Sequence, residues 1–204
     1  RLPAEQVVWL VIALAIYRRQ SMPEVLATLD LALSAASAQA VSKSAVTQAR
    51  QRLGAKPLAQ LFDQTARAWC QQDAEYHAWQ GLSLWAMDGT TFRTPDSTNN
   101  RAHFGAQAYA SGKVASYPQV RAVSITAIPT HLVSDIAFGT YAQNEMLYAK
   151  TLVGRIADHS LTVFDRGFLS AEILLGLTLG GQERHYLIPA KSNTKWEVLS
   201  GSAD

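Results

Sequence analysis

The fold of this chain is decided by a short stretch near its middle, residues 82–88, which reads LSLWAMD. Its side chains alternate, so that Leu84, Ala86 and Asp88 share one face of a predicted strand. A second apolar run, residues 161–165 with the sequence LTVFD, also ends in an aspartate. We therefore predict two strands, far apart in the sequence, that each end in an acidic side chain.

The segments around these two runs predict the order of a whole α/β domain. The patterns indicate β-strands at 120–128, 132–138 and 185–190, and helices at 143–157 and 169–179. Three leading strands followed by alternating helix and strand is the order of a ribonuclease-H-like domain, in which the first and fourth strands are parallel neighbours. Asp88 and Asp165 should close these two strands and meet at one edge of the sheet, where open α/β sheets place their chemistry.

Two carboxylates at one sheet edge favour a metal site. Acids brought within about 4 Å repel each other unless a cation lies between them. Mg²⁺ or Mn²⁺ prefers such oxygen ligands, and a pair of these ions can hold a phosphodiester for cleavage. The alternative is that each aspartate is only a turn residue. Because Asp88 and Asp165 occupy matched positions in the predicted topology, we expect both to be metal-binding and catalytic.

Composition bounds the remaining possibilities. The chain has 204 residues, 48% of them hydrophobic, and a net charge of +2 with a pI near 8.8, which mildly favours a polyanionic partner. Its single cysteine, Cys70, excludes an internal disulfide and indicates a reducing, cytoplasmic setting. The apolar run 7–16 is shorter than the roughly 20 residues of a membrane span, so we expect a buried helix there. No nucleotide-binding glycine loop, His-Glu-x-x-His motif or serine elbow is present.

Residues 1–78 have helical patterns throughout and are expected to form a separate N-terminal domain, followed by a catalytic domain at 79–204. We predict helices from Pro3 to about Gln20, from Pro23 to about Ala35, from the N-cap Ser42 to Leu53, and from Pro57 to about Gln72. The third of these helices is a candidate for DNA binding. Its polar and basic side chains can reach base edges and phosphates from a major groove; the candidates are Lys43, Thr47, Gln48, Arg50 and Arg52. An ordinary solvated helix face is the alternative.

Three stretches together resemble a known family. Residues 86–93 (AMDGTTFR) and 161–168 (LTVFDRGF) are similar to the first and second catalytic blocks of the insertion-sequence-four group of DDE transposases, and residues 42–54 (SKSAVTQARQRLG) are similar to their N-terminal domain. The resemblance implies an α+β protein that cleaves and joins double-stranded DNA at transposon ends with Mg²⁺ or Mn²⁺. It also implies a homodimer on transposon-end and target DNA, in the bacterial cytoplasm, associated with the nucleoid and not with a membrane.

The same resemblance implies a third metal ligand, a glutamate in a Tyr–Arg–Glu–Lys pattern on a later helix. No such pattern occurs here, and Glu172, Glu183 and Glu197 lie in other contexts. We therefore expect the third acid beyond Asp204, with the 204 residues alone catalytically incomplete. The alternatives are a truncated transposase that binds DNA without cutting it, or another ribonuclease-H-like nuclease.

Four further basic residues are candidates for DNA contacts in the second domain. Arg93 and Arg166 are expected to face phosphate oxygens beside the metals, with surface ion pairs as the alternative. Arg101 belongs to a segment, residues 89–118, that is too long for an ordinary connection and is expected to contact DNA. Lys191, at the end of the last predicted strand, is the weakest of the four candidates.

Overall fold

The computed structural model describes residues 2–29, 42–72, 77–109 and 112–195. The chain divides into two compact units, Arg1–Gln64 and Thr65–Asp204. The fourth helix, α4 (Lys56–Gln72), crosses that division, so its last turns belong to the sheet unit. The predicted domain boundary between residues 78 and 79 stays a prediction.

The first unit contains α1 (Ala4–Ile16), α2 (Met22–Thr28), α3 (Lys43–Leu53) and the beginning of α4. Its core is small and aliphatic, built from Leu10, Ala13, Val25 and Val46. The predicted extension of α1 to Gln20 was wrong, because residues 17–20 are exposed and offer no apolar face to bury. The predicted extension of α2 to Ala35 falls on residues 30–41, which lie outside the described residues.

Local capping chemistry confirms the bounds predicted for α3. The Ser42 Oγ accepts a hydrogen bond of 3.2 Å from the backbone N–H of Ala45, which satisfies one of the free donors of the first turn. Gly54 follows the last residue with φ of +68°, in the left-handed region that glycine adopts without strain. The two cap residues in the sequence, Ser42 and Gly54, were therefore sufficient to predict where this helix begins and ends.

The second unit is built on a five-stranded sheet with the order β3-β2-β1-β4-β5. The strands are β1 (Ser83–Arg93), β2 (Gln119–Ala127), β3 (Val133–Thr140), β4 (Ser160–Phe164) and β5 (Arg184–Leu187). β1, β2 and β3 pair antiparallel, whereas β4 pairs parallel with both β1 and β5. The helices are α5 (Thr98–Phe104), α6 (Glu145–Val153) and α7 (Ala171–Thr178). The predicted ribonuclease-H-like order is confirmed.

One face of the sheet forms the core of this unit. Trp85 and Met87 of β1 are buried there with Ile125 of β2, packed with apolar side chains of α6 and α7 such as Leu152 and Ile173. Cys70, near the end of α4, belongs to the same cluster, and burial raises the pKa of its thiol. As predicted, it is a small core side chain.

The first strand is longer than predicted. It continues past Asp88 to Arg93, because β2 remains paired with it as far as Gln119 after β4 has ended. The predicted long loop is correspondingly shorter and contains α5 together with an isolated bridge between Ala108 and Val114. Within the described ranges, no helix is both long and apolar enough to cross a membrane.

Candidate active site

Asp88 and Asp165 lie side by side on neighbouring parallel strands. The parallel pairing of β1 with β4 ends at Met87 and Phe164. Asp88 directly follows Met87, and Asp165 directly follows Phe164. Adjacent strands are about 4.8 Å apart. The prediction that the acids meet is confirmed for the backbone, although Asp88 lies within its strand and does not close it.

Both aspartates also lie on the same face of the sheet. Met87 and Phe164 are buried on the core face, and successive side chains of a strand point to opposite faces. The backbone of Asp165 is still extended, with φ of −71° and ψ of 152°. Both acids therefore project on the face opposite the core, and both are exposed.

The local hydrogen bonds hold these carboxylates without neutralising them. The Oδ1 of Asp88 accepts from the backbone N–H of Gly89 at 2.7 Å, and the Oδ1 of Asp165 accepts from that of Arg166 at 2.7 Å. Neither carboxylate takes part in the ion pairs found among the described residues. Two exposed acids with no cationic partner suit a hard divalent cation, which prefers carboxylate oxygens and keeps open positions for water and phosphate.

This edge brings two carboxylates together, those of Asp88 and Asp165. Across the described ranges, no group of three or more His, Cys, Asp or Glu side chains is arranged to hold a metal ion. Glu172 instead pairs with Lys150, and Glu183 pairs with His159. Glu197 lies outside the described residues.

The four basic residues predicted to contact DNA in this domain do not all lie near Asp88 and Asp165. Arg166 follows Asp165 directly and opens a short 3-10 turn that ends at Phe168. Lys191 lies near this turn, since its Nζ donates to the backbone oxygen of Leu169 at 3.4 Å. Arg166 is therefore adjacent to Asp165 in the chain, and Lys191 lies near the end of the turn that follows it.

Arg93 and Arg101 lie in other surroundings. Arg93 is five residues past Asp88, and its guanidinium stacks over the Tyr117 ring at 5.6 Å from the centroid. Arg101 donates to the Asp96 carboxylate and, at 2.7 Å, to the backbone oxygen of Ser116. The hydrogen bond from Arg101 lowers the pKa of Asp96. Arg101 thus stabilises the connection between β1 and β2.

The sequence did not predict a pair of opposite charges, Arg121 and Glu145, close to Asp88. The carboxylate of Glu145, the first residue of α6, lies against Gly89, where an added β-carbon would be 2.8 Å from Glu145 Cδ. The Nε of Arg121 lies 3.9 Å from Glu145 Oε1 and is buried without a hydrogen-bond partner. Its guanidinium stacks 4.3 Å from the centroid of the Tyr141 ring. Only the packing of α6 on the sheet brings these residues together, and no local pattern indicated it.

The candidate DNA-binding residues of α3 lie on its exposed side, with Lys43 and Arg50 along one edge and Arg52 along the other. Lys43, Thr47, Gln48, Arg50 and Arg52 are all exposed, whereas Val46 and Ala49 on the other side are buried. The Thr47 hydroxyl donates to the Lys43 backbone oxygen at 3.0 Å and keeps its acceptor capacity. Beside this face lies an open groove of about 450 Å³, lined by side chains of α1 and α3 and by the start of α4.

A mixed sheet of this order, with two acids that follow paired residues of its first and fourth strands, places the second unit in the ribonuclease-H-like class of folds. Sequence comparison gives the family. Residues 79–202 match the family described as the transposase DDE domain, and residues 1–63 match the insertion element 4 transposase N-terminal family. The chain belongs to the DDE transposases of the insertion sequence IS4 type. DDE transposase domains generally use divalent metal ions.

The chain is also similar to individual curated proteins. It is 37% identical over 199 residues to the transposase InsG for insertion sequence element IS4 of Escherichia coli (strain K12), covering 98% of this chain and 44% of that protein. It is 35% identical over 203 residues to InsZ of the same strain, covering 98% of this chain and 65% of that protein. The chain thus spans about half to two thirds of the length of these relatives.

Among solved structures, the chain is similar to the piggyBac transposase in a synaptic complex with hairpin DNA. The TM-score is 0.45 and the sequence identity 12%, over 94% of this chain and 42% of the other.

Proposed function

We propose that this protein is a DNA transposase that cleaves phosphodiester bonds at transposon ends and transfers the freed strand to target DNA. The observation that carries the proposal is the pair Asp88 and Asp165, which follow paired residues of two parallel strands on one exposed face. Membership of the DDE transposase family supports the same chemistry. The work of such an enzyme on bacterial DNA would take place in the cytoplasm, at the nucleoid.

The aspartates would hold Mg²⁺ or Mn²⁺, which activates the attacking oxygen and stabilises the leaving oxygen of the scissile phosphate. Asp88 and Asp165 each keep Oδ1 oriented by a backbone N–H and are free of basic partners among the described side chains. Arg166 and Lys191 would bind phosphate oxygens near Asp165. Gly167, between Arg166 and Phe168, would allow the DNA backbone to approach closely.

Metal binding tests this assignment without depending on catalysis. We expect Mn²⁺ to bind the 204-residue chain, as measured by electron paramagnetic resonance, and to lose most of its affinity in Asp88→Asn and in Asp165→Asn. The matched control is Asp63→Asn, which removes an exposed aspartate of α4 and should leave Mn²⁺ binding unchanged. Equal binding by the wild type and both active-site variants would reject the metal site.

Cleavage of DNA that carries a transposon end tests the activity itself. Protein that extends as far as the relatives do should cut this DNA in Mg²⁺ or Mn²⁺. Asp88→Asn and Asp165→Asn should abolish cutting and retain DNA binding. Cleavage that persists in either variant would reject the catalytic role of that residue.

The exposed face of α3 is proposed as a DNA-binding surface. Lys43, Arg50 and Arg52 would neutralise phosphates, while Thr47 and Gln48 would reach base edges. Replacing one of these cations by Gln should weaken DNA binding. It should also make the negative slope of log K against log salt concentration shallower by about 1 for each lost phosphate contact. Glu5→Gln on α1 is a control that removes a charge from the same unit. An unchanged salt slope in all three cation variants would exclude this surface.

Strand transfer at two transposon ends further implies at least a dimer on DNA. Sedimentation of the protein with end DNA should reveal two protein chains in each complex. A complex that contains a single chain with one end would contradict this part of the proposal.

A further inference from the structure

A polar cavity lies at the amino-terminal end of β4, whereas Asp88 and Asp165 lie past its carboxyl end. Trp85 and Ile125 form part of its wall, and Asp158 and Arg184 lie at the amino-terminal ends of β4 and β5. Trp85 and Ile125 are buried on the core face of the sheet, whereas Asp88 and Asp165 project on the opposite face. The cavity is therefore distinct from the candidate metal site.

The centre of this cavity is a buried acid shared by two arginines. Asp135 on β3 is only 3% exposed, yet its Oδ1 accepts from Arg67 Nη2 and from Arg155 Nη1, each at 2.9 Å. Each arginine uses a single terminal nitrogen for this contact, and both side chains are about half exposed. Among the described residues, neither guanidinium group makes a further hydrogen bond, so its other N–H groups can bind a molecule inside the cavity.

Among the described residues that line the cavity, the charges do not balance. They include three guanidinium groups, those of Arg67, Arg155 and Arg184, and two carboxylates, those of Asp135 and Asp158. The Nε of Arg184 donates to Asp158 at 2.7 Å, which forms a separate pair. The remaining trio of Arg67, Arg155 and Asp135 carries one net positive charge.

The cavity is large enough to admit a phosphate group. Its volume is about 320 Å³, equal to roughly ten water molecules at about 30 Å³ each. Guanidinium groups bind phosphate through paired N–H donors with favourable geometry. We infer that this cavity is an oxyanion site in which Arg67 and Arg155, held by Asp135, bind a phosphate group.

Two sources of that phosphate share the same chemistry: the backbone of bound DNA, and a small phosphate compound in solution. The oxyanion site is independent of the proposed transposase activity. Only its assignment to DNA rests on that proposed function.

Inorganic phosphate, titrated into the 204-residue chain at constant ionic strength, tests the inference. Asp135→Asn removes the carboxylate that competes with phosphate for the two arginines. The phosphate affinity of this variant should therefore rise about fivefold, as Coulomb's law gives for a partly screened site. Arg155→Gln should lower it by about the same factor, and this variant retains Arg67 as a partner for Asp135 and should therefore fold. The control Glu172→Gln leaves Lys150 unpaired outside the cavity and should have no effect.

A purely structural role for the cluster predicts a different result. Asp135→Asn would then lower stability without any gain in phosphate affinity, and Arg155→Gln would bind phosphate as the wild type does. Wild-type phosphate affinity in folded Arg155→Gln overturns the inference, whether or not Asp135→Asn folds.

A duplex of arbitrary sequence, titrated at the same ionic strength, separates the two sources. Weaker duplex binding by Arg155→Gln, together with weaker phosphate binding, assigns the site to the DNA backbone. Unchanged duplex binding together with weaker phosphate binding assigns it to a small phosphate compound. Either result supports the oxyanion site and is independent of whether cleavage is observed.

Discussion

The two ends of β4 differ in how the acids near them are surrounded. Past its carboxyl end, Asp88 and Asp165 are exposed and accept hydrogen bonds from the backbone N–H groups of Gly89 and Arg166. At its amino-terminal end lies the cavity in which Asp135 is buried between Arg67 and Arg155. An acid with two arginine partners contributes to stability, whereas two adjacent acids without partners repel each other. The second arrangement is the one that a divalent cation can stabilise.

The largest expected difference between the two ends is in stability. Arg67→Ala combined with Arg155→Ala leaves the Asp135 carboxylate buried without a partner, which should lower the free energy of unfolding by about 3–5 kcal/mol. Asp88→Ala combined with Asp165→Ala removes exposed, mutually repelling charges and should change it by no more than about 0.5 kcal/mol. Urea denaturation of both double variants measures the contrast. Similar losses in the two variants would remove the distinction between the ends.

A smaller contrast is expected between two glycines, one at each end. At Gly181 an added methyl group would collide with both Asp158 and Arg184 and break their ion pair, so Gly181→Ala should cost about 1–3 kcal/mol. At Gly89 it would meet only the end of the flexible Glu145 side chain, and the cost should stay below about 1 kcal/mol. Thermal denaturation compares the two variants. A larger loss for Gly89→Ala would show that the Glu145 side chain is held rigidly against Gly89.

Ligand-dependent stability should also differ between the ends. At ten times its dissociation constant, Mn²⁺ should stabilise the wild-type chain by about 1.4 kcal/mol. Asp88→Asn should lose this gain, and Arg155→Gln should keep it, because the latter substitution lies at the opposite end. Thermal shift assays with and without Mn²⁺ provide the measurement. A loss of the Mn²⁺ effect in Arg155→Gln would mean that the two ends are coupled.

The smallest effect concerns pH. The hydrogen bond from the Gln182 backbone N–H, together with Arg184, holds the pKa of Asp158 below its ordinary value. The stability that this provides is complete above the ordinary pKa of aspartate and disappears as the pH falls through the lowered one. Lowering the pH should therefore reduce the free energy of unfolding slightly more in the wild type than in the Asp158→Asn variant. Parallel acid denaturation curves for the two proteins would contradict this expectation.

The sequence was most informative where local patterns decide structure. The caps of α3, the β2–β3 hairpin and the order of strands and helices could be predicted, because each depends on residues close together in the chain. The approach of Asp88 to Asp165 was predictable only through the topology that this order implies. The bounds of α1 and β1 were less accurate, because burial and strand pairing extend or shorten an element beyond its local pattern.

Local sequence therefore determined the elements, their order and the two acids that end the matched runs. Tertiary structure alone decided that β1 continues to Arg93, that Glu145 lies against Gly89, and that Asp135 joins Arg67 to Arg155. The physical reason is that these contacts join residues 20 or more positions apart whose meeting depends on how helices pack on the sheet. No hydrophobic periodicity encodes such packing, because periodicity reports which side of an element is buried and not what covers it.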